Sequence, residues 1–226
     1  MSAVAWLSRR WSGRRVQRYT ADAAYALWAE AYPAWAHNPL MEAEQDIMVP
    51  IIRRCRPRHA LDLGTGTGRY VAVLRGAGAR RVTGLDRSAA MMAAHQQPAG
   101  LVRGDARVLP FRAGAFDVVV SSLMVGDLDE LGVWAQDVAR VLRPGGHLVY
   151  SGFHPIWRDR GWRRTFSARS GEQVELPCHA HSLDHHVSAL VGAGLEVQAI
   201  REPRLVPAGR THSERGEPVV VVVHGR

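Results

Sequence analysis

The sequence predicts an α/β fold with a mostly parallel sheet and helices on both of its faces. From residue 59 onward, apolar strand-like runs alternate with helical stretches, which is the pattern of βαβ units. A glycine-rich loop (GTGTG, residues 64–68) directly follows the first of these strands. The last two strand-like runs are joined by a segment without helical periodicity, so we expect these two strands to pair antiparallel.

The alternating region supplies five strands and three helices. The predicted strands are residues 59–64, 81–86, 100–105, 116–122 and 147–153, and the predicted helices are 68–77, 88–97 and 130–142. Ser88 is placed to cap the second of these helices, and the RPGG stretch at 143–146 predicts a helix stop and a turn before the fifth strand.

The flanking regions predict a helical start and a β-rich end. Tyr25, Trp28 and Tyr32 recur at helical spacing before Pro33, which should end or kink their helix. A second helix has Asn38 as its expected N-cap. The remaining predicted elements are that second helix over 39–55, a hairpin over 163–176, a helix over 182–193, and strands over 196–202 and 218–225.

Composition argues against several classes of protein. The net charge is +8, but all 29 basic residues are arginine, which we attribute to codon usage, because nucleic-acid grooves usually mix arginine, lysine and aromatic residues. No apolar run reaches the about 20 residues of a membrane helix. The arginine-rich start is not followed by an apolar stretch, so we predict a cytoplasmic protein. Cys55 and Cys178 are expected to be free thiols, and no metal is expected.

The residues around the glycine loop discriminate between ligands. A dinucleotide loop would have its third glycine at position 69, which is Arg69 here. Asp62 stands two residues before Gly64, where a carboxylate would repel a pyrophosphate and suit a cationic amine. The loop therefore favours S-adenosylmethionine, which carries an amine and a sulfonium, over NAD.

Two further acids end the next two strands. Asp86 follows the second strand, where a carboxylate can accept hydrogen bonds from both ribose hydroxyls. Asp105 follows the third strand, where it can accept from an adenine amine beside the backbone N–H of Ala106. Because the carboxyl ends of parallel strands meet at one edge of the sheet, the three acids predict a single adenosine ligand there.

These segments resemble the class I S-adenosylmethionine-dependent methyltransferases, and in particular small bacterial enzymes that act on metabolites and natural products. The matching segments are "ALDLGTGTGRY", "VTGLDRS", "GDARVLPF", "FDVVVSSLMVGDL" and "VARVLRPGGHLVYSGF", which together cover residues 59 to 153. The resemblance implies a Rossmann-like seven-stranded sheet in the order 3-2-1-4-5-7-6, with strand 7 antiparallel.

The resemblance also implies cofactor contacts. The methionine part would be held by Asp62, Gly64, Thr65, Gly66 and Gly68, and the ribose and adenine by Asp86, Arg87, Gly104, Asp105 and Ala106. Ser121 and Ser122 would line the sulfonium and methyl region. An aromatic residue of the N-terminal helix often closes over the cofactor in this family, and Tyr25 or Tyr32 is the candidate here, although neither is followed by the usual acid.

The same resemblance divides the chain into parts. We expect a basic, flexible tail (1–20) and a single methyltransferase domain (21–226). The parts of the domain are a helical cap (21–57), a cofactor-binding core (58–154), a hairpin insertion near the acceptor site (155–181), and a closing helix with strands (182–226).

Methyl transfer from a sulfonium relies mainly on proximity and alignment, and a base is needed only for acceptors such as hydroxyls or phenols. His154 is the first candidate for that base and Asp127 the second, because Gly126 and Asp127 replace the His-His pair of many relatives. Trp157 and Trp162 are expected to contact the acceptor, as are His179 and His181. A zinc site built from the histidines near residue 180 is a weaker reading.

The sequence thus predicts a methyltransferase that transfers a methyl group to oxygen of a small secondary metabolite. Alternatives are N-, C- or carboxyl-methylation of a metabolite or carrier-bound acyl chain, a fold used without methyl transfer, and an NAD-dependent enzyme. We expect no nucleic-acid or membrane partner, and either a monomer or a homodimer.

Overall fold

A seven-stranded sheet runs through the centre of the protein, whose computed structural model describes residues 16–205 and 216–226. The described strands are β1 (Val16–Arg18), β2 (His59–Leu63), β3 (Arg81–Asp86), β4 (Gly100–Arg103), β5 (Phe116–Ser121), β6 (Leu142–Phe153), β7 (Arg164–Ser167), β8 (Gln173–Leu176), β9 (Val197–Arg201), β10 (Arg204–Leu205), β11 (Glu217–Pro218) and β12 (Val220–Gly225). The described helices are α1 (Ala21–Ala29), α2 (Pro39–Cys55), α3 (Arg69–Gly76), α4 (Ala89–Ala93), α5 (Gly132–Val141), α6 (Ile156–Asp159) and α7 (Leu183–Gly192).

The strand order of the large sheet is β4-β3-β2-β5-β6-β12-β9. All neighbouring strands from β4 to β6 pair in parallel, whereas β12 pairs antiparallel with both β6 and β9. When the seven strands are numbered in chain order within this sheet, the order is 3-2-1-4-5-7-6. The predicted fold class is therefore confirmed, including the antiparallel last strand.

Each face of the sheet carries its own apolar core. On one face, Leu61, Val119 and Val221 pack with Trp134 of α5 and Leu190 of α7. On the other face, alternate residues of the same strands pack under α2 and α3. Because successive side chains of a strand point to opposite faces, fully buried central strands read as continuous apolar runs, as VVV does in β5.

A second, three-stranded sheet lies outside the core and carries α1. β7 and β8 form the predicted hairpin, and β1 pairs in parallel with β8. Ala24 of α1 is buried against Phe166, Val174 and Leu176 of the hairpin. The N-terminal helix is thus held by the hairpin insertion.

The structure corrects three predicted boundaries. Val16–Arg18 pairs with Gln173–Glu175, so a flexible tail does not extend to residue 20, while residues 1–15 of that predicted tail lie outside the described residues. The first helix ends at Ala29, which leaves Tyr32 in the loop that follows. β6 begins at Leu142, but its register against β5 shifts before His147, so the RPGG stretch, with Gly145 at φ +73°, is an irregular start of this strand. Among the described residues, no helix has the length and apolar character needed to cross a membrane.

Candidate functional site

A cavity lies at the carboxyl ends of β2, β3 and β5, and α1 and the β7–β8 hairpin cover it. This is the edge at which open parallel sheets bind ligands. The residues that line it include Asp62, Asp86 and Asp105, which end the first three strands of the alternating region. The three predicted acids therefore meet at one cavity.

The glycine loop is held close to β3 by backbone hydrogen bonds. The N–H groups of Gly64 and Thr65 both donate to the carbonyl of Leu85, at 2.8 and 3.0 Å. Gly64 has φ +75°, and a Cβ there would lie 2.6 Å from Cγ of Met124. A side chain at position 64 would therefore be strained and would displace Met124, a residue that lines the cavity.

Asp62 is a buried carboxylate at the entrance of this loop. Its side chain is 2% exposed, and Thr65 Oγ1 donates to its Oδ2 at 2.7 Å. Burial raises the pKa of Asp62 to about 7, although the Thr65 hydroxyl and the nearby Arg69 act in the opposite direction. A cationic amine placed in the cavity would be a partner of opposite charge for this carboxylate and would favour its ionised form.

Asp86 connects the loop to the start of α4. Its Oδ2 accepts from the N–H of Gly66, and its Oδ1 accepts from the N–H of Ser88, both at 2.8 Å. Burial raises its pKa, against the effect of those backbone hydrogen bonds. Because a carboxylate oxygen has two lone pairs, each oxygen keeps one for a ligand hydroxyl.

The end of β4 is occupied differently from what the sequence predicts. The carboxylate of Asp105 accepts hydrogen bonds from the guanidinium of Arg107 at 2.6 to 3.2 Å. These hydrogen bonds lower the pKa of Asp105 to about 2. Arg87 is paired with Asp22 of α1 at 2.9 Å. The acid that the sequence predicts beside an adenine is therefore already paired. Gly104 and Ala106 also line the cavity.

A buried ion pair supports the floor of the cavity. Glu44 of α2 is fully buried, and its Oε2 lies 2.8 Å from Nη1 of Arg69. The hydroxyls of Ser122 and Ser151 both donate to Oε1 of Glu44. Ser122 and Arg69 line the cavity, so Glu44 fixes the side chains that face the ligand.

The roof of the cavity is a triad from three separate segments. Arg164 of β7 donates to the Asp127 carboxylate and to the Tyr25 hydroxyl, both at 2.7 Å, and Tyr25 also donates to Asp127. Burial opposes ionisation of Arg164, but Tyr25 and Asp127 raise its pKa overall. The guanidinium also lies over the rings of Trp28 and Phe153, at 5.7 and 5.3 Å.

Comparison with known proteins finds a family model that matches part of the chain. A methyltransferase domain model matches residues 61–150, from Leu61 in β2 to Tyr150 in β6. Residues 61–150, which are 90 of the 226 residues, are therefore similar to a methyltransferase domain. Together with the sheet order, this match agrees with the resemblance to the class I methyltransferases.

Two curated relatives of the methyltransferase domain have different acceptors in their names. Malonyl-(acyl-carrier protein) O-methyltransferase of Pseudescherichia vulneris is 33% identical over 139 residues, which are 60% of this chain and 54% of the relative. Ubiquinone/menaquinone biosynthesis C-methyltransferase UbiE of Rubrivivax gelatinosus is 35% identical over 119 residues, 48% of this chain and 43% of the relative. The chain thus spans about half the length of these relatives.

Solved structures share the fold at lower identity. The DhpI-SAM-HEP complex superposes with a TM-score of 0.70 and 19% identity, covering 90% of this chain and 94% of that one. An S-adenosylmethionine-dependent methyltransferase from Mesorhizobium loti gives a TM-score of 0.61 and 22% identity, covering 80% of this chain and 99% of that one.

Most predicted cofactor residues line the cavity, but two do not. Those that line it are Tyr25, Tyr32, Asp62, Gly64, Thr65, Gly66, Asp86, Arg87, Gly104, Asp105, Ala106 and Ser122. Ser121 is fully buried and donates to the carbonyl of Leu63, so it joins two strands. Gly68, at φ +96°, caps α3 and packs against His95.

The predicted base His154 lies outside this cavity. Its Nδ1 accepts from the N–H of Ile156 at 3.1 Å, which leaves the proton on Nε2, 2.7 Å from a carboxylate oxygen of Glu202. Both nitrogens are therefore engaged in holding α6 against the sheet edge. Asp127, the second candidate, does line the cavity, but it is paired with Arg164.

Three of the four predicted acceptor residues do not line the cavity. His181 is buried with Nε2 near the carbonyls of Val125 and Leu128, and the backbone N–H of His179 donates to the carbonyl of Gly126. Trp162 packs on the edge of Trp157, with ring centroids 5.7 Å apart. Trp157 alone of the four lines the cavity, and its indole N–H donates to the carbonyl of Val219 at 2.9 Å.

Proposed function

We propose that this chain transfers a methyl group from S-adenosylmethionine to an oxygen atom of a small-molecule acceptor. The observation that carries the proposal is the pair of acids on either side of the glycine loop. Asp62 is buried and lacks a cationic partner within hydrogen-bond distance among the described residues, and Asp86 has lone pairs left over for a ribose. These two carboxylates, as hydrogen-bond acceptors, fit an adenosine ligand that carries an amine.

The assignment of roles follows from position along the cavity. Asp62 and the loop at Gly64 to Gly66 would hold the methionine amine and carboxylate, and Asp86 would hold the ribose. Ala106 and Gly104 would contact the adenine by their small surfaces, with Asp105 supplying acceptor lone pairs not used by Arg107. Ser122, fixed by Glu44, would lie beside the reacting centre.

When bound, S-adenosylmethionine supplies a methyl group on a sulfonium, whose thioether leaves as a neutral group. The chain therefore needs to align the acceptor and to exclude water. Among the described residues, no histidine lines the cavity, and the carboxylate of Asp127 is bound by Arg164 and Tyr25. This supports an acceptor oxygen that is already anionic, such as a carboxylate, because such an oxygen needs no base.

Arg164 is the residue best placed to receive that anion. Two of its five N–H donors serve Asp127 and Tyr25, which leaves donors for a further oxygen. Trp157, Trp28 and Phe153 give the same wall an apolar, aromatic surface suited to the body of a small metabolite. The relative named as an O-methyltransferase of malonyl-acyl carrier protein agrees with an oxygen acceptor. Natural-product metabolism in the cytoplasm is the setting we propose.

Cofactor binding is the first test. Thermal-shift and calorimetric titrations with S-adenosylhomocysteine should show stabilisation and binding, and titration with NAD should show neither. Stabilisation by NAD without stabilisation by S-adenosylhomocysteine would refute the proposal.

Acceptor chemistry is the second test, with matched compounds that differ only at the accepting group. An aryl carboxylic acid, its amide and the corresponding phenol are incubated with labelled cofactor, and the methylated products are identified by mass spectrometry. We expect a methyl ester from the acid and no product from the amide. Turnover of the phenol alone would favour Asp127 as a base and refute the anionic acceptor.

The role of Arg164 is tested with Arg164→Lys, which keeps the charge but loses the planar fork. We expect the acceptor KM to rise by about tenfold, with the affinity for S-adenosylhomocysteine unchanged. Arg158→Ala is the matched control, because Arg158 is paired with Asp159 at a surface where both side chains are 64% exposed.

A further inference from the structure

A second cluster of reactive side chains lies at the edge of the sheet opposite the cavity. Cys55 is in the last turn of α2, His147 is in β6, and His224 is in β12. His147 pairs with Val118 near the start of β5, so the cluster is at the amino ends of the parallel strands. None of the three side chains lines the cofactor cavity.

The fold brings these residues together although they are far apart in sequence. His224 is opposite Val149 in the β6–β12 ladder, which makes His147 its diagonal neighbour on the same face of the sheet. α2 packs on that face through Ile51 and Ile52, and Cys55 follows one turn later. The sequence expectation of no metal was based on spacing, and spacing does not reveal this convergence.

The three ligand atoms lie near enough to one another to reach one tetrahedral ion. Nε2 of His224 lies 3.1 Å from Nδ1 of His147 and 3.9 Å from Sγ of Cys55, and all three atoms lie within 4.8 Å of one another. A tetrahedral zinc with bonds of about 2.0 Å to nitrogen and about 2.3 Å to sulfur separates its ligand atoms by about 3.3 to 3.6 Å. Small side-chain rotations would bring all three atoms to one ion.

We propose that Cys55, His147 and His224 bind a divalent transition metal such as zinc, with the fourth position taken by water. Binding replaces the S–H bond of Cys55 by a metal–thiolate bond, and the thiol proton leaves to solvent. Two neutral imidazoles and one thiolate are the ligand types that zinc prefers. All three residues are half-buried, so an ion can enter from solvent.

Such an ion would join α2 to β6 and β12, which come much later in the chain. Without it, the two imidazole nitrogens at 3.1 Å share one hydrogen bond, and the thiol of Cys55 donates to the carbonyl of Ile51 in its own helix. With it, three elements are linked covalently through one centre. The site would therefore act on stability, and methyl transfer does not depend on it.

The test uses the full chain without a histidine tag, titrated with Co²⁺ as a spectroscopic probe for zinc. We expect a thiolate-to-cobalt charge-transfer band and tetrahedral ligand-field bands, both lost when Zn²⁺ is added. Cys55→Ser should abolish the charge-transfer band, His224→Gln should weaken Co²⁺ binding by about tenfold or more, and Cys178→Ser, the matched control, should leave the spectrum unchanged.

A second measurement needs no variant. Zn²⁺ should slow alkylation of Cys55, but not of Cys178, when the modified peptides are counted by mass spectrometry. It should also raise the Tm by about 5 °C at a 100-fold excess over its Kd. Absence of the band in the wild-type chain, a band that persists in Cys55→Ser, or equal alkylation of Cys55 with and without Zn²⁺ would overturn the proposal.

Discussion

The buried carboxylate of Asp62 gives cofactor affinity a pH dependence that can be calculated from the structure. Burial raises its pKa to about 7 in the free protein, so near neutral pH about half of the molecules carry it protonated. A cationic amine pairs only with the ionised form. Binding of S-adenosylhomocysteine should therefore weaken as the pH falls through 7.

The size of the effect follows from the fraction of ionised Asp62. With a pKa of about 7, the apparent Kd exceeds its limiting value by about 11-fold at pH 6.0 and by about 1.3-fold at pH 7.5. The ratio between the two conditions is about eightfold. Isothermal titration calorimetry at the two pH values measures it directly, and the proton release that accompanies binding at pH 6.0 provides a second readout.

Asp62→Asn is the variant that isolates this effect. It should bind S-adenosylhomocysteine more weakly at pH 7.5 and lose most of the eightfold ratio, because Asn does not titrate. Any part of the ratio that comes from titration of the ligand's own amine remains in both proteins. Asp129→Asn, which changes an exposed acid, should keep the ratio. An Asp62→Asn protein with the same ratio as the wild type would refute the assignment of Asp62 to the amine.

The same shift has a consequence for the stability of the free protein. The pKa of Asp62 in the folded state is raised from an ordinary value of 3.8 to about 7, so the folded state holds the proton more tightly than the unfolded state does. The contribution of protonated Asp62 to the free energy of unfolding is therefore complete below about pH 4, and it is lost as the pH rises toward 7. Urea denaturation should show a flatter pH profile for Asp62→Asn over this range.

Three further substitutions test the architecture of the site. Asp86→Ala should weaken binding of S-adenosylhomocysteine by about tenfold or more, because it removes both the hydroxyl acceptor and two hydrogen bonds that hold backbone; unchanged affinity by calorimetry would contradict its role at the ribose. Gly64→Ala should lower both stability and affinity, because φ +75° and a Cβ 2.6 Å from Met124 are each unfavourable; a Tm within 1 °C of the wild type would contradict this. Glu44→Leu should destabilise the fold by about 3–5 kcal/mol, since it leaves the buried guanidinium of Arg69 unpaired; in urea denaturation, the double variant Glu44→Leu/Arg69→Met should recover much of that loss, and equal instability of the two variants would argue against the pair.

The residues on the loop side of the cavity could be predicted to meet because the signals for them are local. Asp62, Gly64 and Gly66 lie within five positions of one another, and Asp86 and Asp105 each end a strand that the apolar pattern marks. In a parallel sheet, the ends of neighbouring strands are adjacent in space. Local signals and one topological rule were therefore sufficient.

The roof of the cavity could not be predicted in the same way, because its contacts join distant segments. The place of His154 after β6 predicts a base, but Glu202, 48 residues away, is the partner of its Nε2. The strand pattern does not predict the partners of Arg164, which are Tyr25 and Asp127. The roles of His154 and Arg164 depend on partners from distant segments, and the apolar pattern of the strands does not predict those partners.

Two of the missed residues did leave a trace in the sequence. Glu44 interrupts the apolar stripe of α2, where Leu40, Met48 and Ile52 recur every fourth residue or its multiple, so the helix period places an acid in the core. Arg164 lies two residues before the buried Phe166 in β7, and the strand period therefore points both to the same face. An ion on an apolar face indicates a partner ion inside the fold.

The way α1 is attached has a consequence for how acceptor preference can change. Its buried residue Ala24 packs with the β7–β8 hairpin, and β1 extends the same small sheet. About 130 residues, which include β2 to β6, separate α1 from the hairpin in the chain. α1 also contacts α4. The roof is thus a module made of two interdependent pieces. A chimaera that takes only the hairpin from a relative would expose Ala24 to a foreign surface and separate Tyr25 from Arg164. Transplanting a new acceptor pocket onto this core requires both segments to be exchanged together, as a discontinuous cassette.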